Sequence, residues 1–173
     1  NIYVSLDIEK NLIVSILTIL ACLFTLNISN KLYMGDGGAY VLSLLCGYFL
    51  VKTYEVDPSI SPYFIAHLFW YPCFENLFSI LRKFSLKSSP INADNNHFHQ
   101  LIFFYLKKKL DLTSFKINNI SSFMIIFYNI IIFSIGLIDP SSSQFQITLV
   151  LFNIIIYLLL YFKLFNFRYK IKT

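Results

Sequence analysis

Residues 11–28 read NLIVSILTILACLFTLNI, a run without a single charged side chain. A membrane-spanning helix needs about 20 predominantly apolar residues, within a range of about 17–25. Backbone polar groups in hydrocarbon must be satisfied inside the segment, so the run predicts a helix. The rest of the chain has the same character. Of its 173 residues, 57% are apolar, 18% aromatic and only 13% charged, with a mean hydropathy of +0.64. Soluble domains average about 45–50% apolar and about 25% charged. The composition excludes a disordered tail, a collagen-like fibre and a small disulfide scaffold, and it disfavours a soluble enzyme. Cys22, Cys46 and Cys73 all fall inside apolar runs, and an odd number of such thiols makes no disulfide framework.

Four further apolar runs follow: Ala39–Tyr54, Ser59–Leu81, Ile120–Ile138 and Phe145–Phe162. The second is short, but Lys52 near its end can carry its ammonium to the interface. The fold class predicted is all-α, a polytopic membrane helix bundle with about five transmembrane helices, and residues 1–173 form a single integral-membrane domain. Charge sets the expected orientation. There are 14 Lys+Arg against 9 Asp+Glu. The basic excess gathers in Arg82–Asn119 and in the tail from Lys163 to Lys172. The links Glu55–Pro58 and Asp139–Ser143 carry acids without Lys or Arg. The positive-inside rule puts the first pair in the cytoplasm and the second pair outside. Residues 82–119 thus read as a basic cytoplasmic loop. The basic segments are read as topology anchors, with no nucleic-acid partner.

Three stretches could carry chemistry. The first is Tyr33-Met34-Gly35-Asp36-Gly37-Gly38-Ala39-Tyr40, between the first two runs. Its glycines let backbone approach a ligand closely, and the opening of the next helix favours an anion. The Asp36 carboxylate suits Mg²⁺, a hard cation that shares substrate phosphates. A tight interhelical turn with a helix cap uses the same residues. The second stretch runs from Ser88 through Asp94 to His97-Phe98-His99-Gln100. Two imidazoles there can donate to phosphate oxygens or bind a metal, and two ordinary loop histidines give the same pattern. A zinc site is disfavoured, because no cysteine lies nearby. The third is Trp70 to Lys83, with Glu75 inside an apolar run and Pro72 able to bend it. An intramembrane acid is a functional candidate, but Glu75 is read first as glue between helices. His67 is read as a packed, neutral side chain.

The order of these stretches resembles the C-terminal half of the polyprenyl-phosphate N-acetylhexosamine-1-phosphate transferases, glycosyltransferase family 4. The resemblance covers about Asn11–Phe162 and is specific at Tyr33–Tyr40 and Pro72–Gln100. It implies transfer of a sugar-1-phosphate from a UDP-sugar to a polyprenyl phosphate lipid, with release of UMP and with Mg²⁺, at the start of cell-envelope polysaccharide synthesis. It implies that Asp36 is the catalytic acid and the metal ligand. It implies that His97, His99, Asp94, Gly35, Gly37 and Arg82 contact substrate, and that the protein spans the bacterial inner membrane with its site on the cytoplasmic face. Gln100 stands where the family has a final histidine, and Ala93 where it has a proline. The family's paired aspartates lie in spans upstream of this stretch. The chain is therefore expected to be the C-terminal part of a larger transferase, or to work as a homodimer or with a partner supplying the N-terminal half. The alternative is a non-catalytic membrane subunit, scaffold or truncated remnant of the same fold.

Overall fold

The computed structural model describes residues 2–85 and 95–170, with side chains from residue 10 onward. Every regular element among the described residues is a helix. In chain order they are α1 (Ile2–Ile28), α2 (Gly35–Val56), α3 (Pro62–Leu68), α4 (Trp70–Ser85), α5 (Phe98–Lys109), α6 (Ser114–Gly136) and α7 (Ser143–Lys170). The protein is a helical membrane bundle. Lys10–Ile28, Gly35–Val56, Ser114–Gly136 and Ser143–Lys170 are each long and apolar enough to cross a bilayer. The chain divides into two compact units, Asn1–Thr53 and Tyr54–Thr173.

The first unit holds α1 and most of α2. α1 stops because Asn30 turns left-handed at φ 61°, a conformation its short polar side chain tolerates. The Lys31 amide then reaches back to Leu26 O at 2.9 Å, closing the helix end. α2 starts at Gly35, whose φ of 64° suits glycine. Within both helices, hydroxyls such as Ser15, Thr18 and Ser43 donate to the carbonyl four residues earlier. That satisfies them inside apolar surroundings. No α2 residue is buried against protein, so its apolar surface is of the kind a lipid solvent accommodates.

In the second unit the third apolar run departs from expectation. It is predicted as one span, yet it folds as two helices, α3 and α4, broken at Phe69 (φ −103°, ψ 6°). Pro72 is the cause. It has no amide hydrogen to give Leu68, and its ring crowds the carbonyl four residues back. Among the described residues, four helices, rather than the expected five or so, therefore have unbroken spanning length. α3 begins cleanly, with Pro62 in its first turn and the Ser61 hydroxyl accepting from the Tyr63 amide at 3.2 Å. The segment 82–119, read as a loop, contains a helix. α5 buries Leu101 and Ile102 against the aromatic core of Trp70, Phe98, Tyr157 and Tyr161. It packs on α6 and α7, while α3 packs on the same pair.

A polar knot fastens α3. His67 is fully buried, and its Nδ1 lies 2.8 Å from Gln146 Oε1. The Gln146 amide donates to Gly136 O at 2.8 Å and to Asp139 O at 2.9 Å. With that amide nitrogen committed to two carbonyls, Oε1 accepts and His67 Nδ1 donates. The packed His67 of the sequence reading is found here. Nearby, the Ser61 amide donates to Pro140 O at 2.9 Å and the Ser61 and Ser143 hydroxyls meet at 2.9 Å. Gly136 makes room for the ring. A Cβ there would sit 2.7 Å from both His67 Cε1 and Nδ1. Gly136→Ala is expected to destabilise the protein by about 1–3 kcal/mol through overpacking. Gly47→Ala in α2, where a Cβ meets nothing within 4 Å, should stabilise it by up to about 1 kcal/mol. Thermal unfolding in detergent compares the two, and a neutral Gly136→Ala would contradict the packing argument.

Candidate functional site

α4 presents Glu75, Ser79 and Arg82 at four- and three-residue spacing, so the three share one helical face. Glu75 and Ser79 are buried and Arg82 is half-buried. Glu75 is the hub. Its Oε1 accepts from His97 Nδ1 at 3.1 Å and from the Phe98 amide at 3.0 Å. Its Oε2 accepts from the Tyr157 hydroxyl of α7. Phe98 is the first residue of α5, so its amide has no partner within the helix. Glu75 supplies that partner and places a carboxylate where the helix dipole favours one. The reading of Glu75 as glue between helices fits, but its partners are α5 and α7 together with a histidine.

The entry to α5 is held from several sides. The His97 amide donates to Gln100 Oε1 at 3.1 Å, half of a capping box. Gln100, the departure from the resembled pattern, thus closes the helix start. Arg82 Nη1 donates to the Tyr161 hydroxyl at 2.8 Å and to Asn96 O at 3.3 Å, and Nη2 donates to Ser79 Oγ at 3.3 Å. The Tyr161 hydroxyl donates to Asn96 O at 3.0 Å, and the Tyr169 hydroxyl donates to Asn96 Oδ1 at 3.1 Å. Arg168 Nη1 donates to Asn95 O. Arg82 therefore spends its guanidinium on protein partners and acts to position the segment before His97.

His97 and His99 stack, with ring centroids 5.8 Å apart and planes 15° from parallel. Two-residue spacing is poor for one helix face, but His97 caps α5 while His99 lies inside it, and this bend at the helix start brings the rings together. His99 is exposed at its edge. Partial desolvation, and then the neighbouring His97 ring, hold its imidazole below the usual histidine range, while Glu75 acts in the opposite sense.

The structure thus brings Arg82 to the start of α5, where His97 and His99 stack. Asp36, Gly35 and Gly37 belong to the first unit, where Asp36 is exposed in the first turn of α2. Asp94 lies outside the described residues. Asp36 contributes one carboxylate, and no group of three or more His, Cys, Asp or Glu suited to a metal exists among the described residues. Mg²⁺ takes one or two carboxylates together with substrate phosphates and waters. Asp36 is the residue that would hold such an ion, which would neutralise phosphate charge there. The sequence reading missed Tyr157, Tyr161, Asn96 and Arg168. The only signal for the tyrosines was their four-residue spacing within an apolar run, where a hydroxyl needs a partner.

No family model, curated protein or solved structure matches the chain.

The depressed His99 titration carries a sign. In the window just below the ordinary histidine value the unfolded chain binds more protons than the folded one, so stability rises with pH there. Wild-type protein should lose stability as pH falls through that window, and His99→Gln should flatten this acid limb. Melting temperature against pH for both proteins checks it, and identical curves would refute the assignment.

Proposed function

We propose that the protein is part of a membrane transferase that moves a sugar-1-phosphate, N-acetylhexosamine-1-phosphate, from a UDP-sugar to a polyprenyl phosphate. The observation that carries this reading is the pair of stacked imidazoles at the N-terminal end of α5, with His97 held by the buried Glu75. Imidazoles and a helix N-terminus together suit the oxygens of a diphosphate. In the reaction a lipid-phosphate oxygen attacks the sugar-bearing phosphorus of the UDP-sugar. The bond from that phosphorus to the oxygen bridging the two phosphates breaks, and UMP leaves. Phosphoryl transfer of this kind depends on positioning and charge stabilisation more than on covalent chemistry from the protein. His97 and His99 would orient the diphosphate; the role of catalytic acid comes to Asp36 from the resemblance alone.

On this reading, the positive-inside rule applied to the basic Arg82–Asn119 segment and the basic tail would turn them toward the cytoplasm, at the inner membrane of a bacterial cell. A soluble nucleotide sugar can there meet a lipid acceptor that stays in the bilayer. The product would begin a cell-envelope polysaccharide. The second reading, a non-catalytic membrane subunit of the same fold, draws on Glu75 and Arg82, whose hydrogen bonds go to protein partners.

The test uses the native protein in liposomes containing polyprenyl phosphate, with UDP-N-acetylhexosamine and Mg²⁺, and measures UMP. Asp36→Asn and His97→Ala are each expected to lower turnover by about 100-fold or more. Wild-type turnover in both variants would refute these residue roles, and no UMP release from the wild-type protein would leave the non-catalytic reading in place.

A further inference from the structure

We infer that Glu75 is a positioning residue, which sets the tautomer and ring direction of His97 and so decides which imidazole nitrogen meets a ligand. A carboxylate oxygen that receives the Phe98 amide is an acceptor, so the His97 nitrogen 3.1 Å from it carries a proton. The proton of His97 is therefore on Nδ1, and Nε2 is the nitrogen that Glu75 does not engage. Nε2 accepts when the ring is neutral and donates once it takes a second proton. Histidine ligands are commonly fixed in this way, by a hydrogen bond at the far nitrogen.

Glu75 is itself fixed, which separates this arrangement from a chance contact. Its two oxygens receive donors from three places: the His97 ring, the α5 backbone and Tyr157 of α7. Aromatic rings close around the assembly. Phe74 and Phe98 lie 5.1 and 4.8 Å from the Tyr157 ring, centroid to centroid. A carboxylate with little access to water and three donors cannot swing to another rotamer without leaving one of them unpaired, which is costly in a buried site. The His97 side chain is partly exposed at 29%, against 12% for Glu75. The buried partner therefore holds the accessible one.

A merely structural Glu75 would cap α5 and tie α4 to α7 with no bearing on the imidazole. The two roles separate by ¹⁵N NMR of histidine-labelled protein in bilayers, with the His97 signals assigned by their loss in His97→Gln. Wild type should show protonated Nδ1 and an unprotonated Nε2 at a pH where the ring is neutral. Glu75→Gln keeps an acceptor oxygen and should retain that signature. Glu75→Leu should give mixed tautomers. Finding the neutral wild-type ring protonated at Nε2 overturns the inference, as does an unchanged signature in folded Glu75→Leu. If Glu75→Leu does not fold, the wild-type and Glu75→Gln spectra decide alone. The functional consequence rests on the reading above: Glu75→Leu should weaken UDP-N-acetylhexosamine binding about tenfold while Glu75→Gln stays near wild type. The NMR result stands whether or not the protein proves to be a transferase, so the two ideas fail separately.

Discussion

A single buried carboxylate organises the second unit. An acid is expensive to keep in a membrane helix unless it is paired. Glu75 is kept because three donors converge on it, from the His97 ring, the first amide of α5 and the hydroxyl of Tyr157. Two of the contacts join the start of α5 to α4, and the third joins α7 to it. Losing one partner of a buried charge typically costs about 3–5 kcal/mol, far more than the net worth of the intact pair. The interaction therefore specifies an arrangement more than it adds stability. α5, with His97 at its start, and α7 must both take up their positions for Glu75 to be satisfied.

The aromatic side chains make this possible. Tyr157 and Tyr161 lie one turn apart on α7 with nearly parallel rings, centroids 5.9 Å apart. One hydroxyl serves Glu75, while the other accepts from Arg82 and donates to Asn96. Tyrosine suits this position because its body packs in the apolar core and its tip reaches a polar group. Phe78 packs edge-on against both tyrosines, 5.7 Å from Tyr157 and 4.8 Å from Tyr161, further screening the polar row. In such surroundings hydrogen bonds are electrostatically stronger than in water. Around His67 a second knot works by the same logic, with Gln146 satisfied by two carbonyls and one imidazole.

Much of the helical content was legible in the residues. Asn11–Ile28 needs no tertiary partner to be read as a spanning helix, because bilayer and backbone chemistry leave no other choice. The Gly35-Asp36 turn was legible as a helix junction, although α2 starts at Gly35 itself. The break at Phe69 was half legible. Pro72 announced a bend, but its effect falls on the residues before it, through the carbonyl of Leu68. α5 was the element most hidden. Its Lys107–Lys109 run and its turn-rich approach resemble a solvated loop, and only its burial of Leu101 and Ile102 against α6 and α7 makes it a helix of the core.

The sequence by itself determined the solvent of this protein and its main helices, since hydrophobic run length and backbone satisfaction are local properties. It also singled out His97, His99, Arg82 and Glu75 as separate candidates. Only the tertiary structure decided their relations. Glu75 and His97 stand 22 positions apart, and Glu75 and Tyr157 stand 82 apart. No local pattern links such residues, because a hydrogen bond between distant elements depends on how the helices pack. That packing ties Arg82 to Tyr161 and to Asn96, just before His97. It also turned Gln100 from a missing histidine into a helix cap.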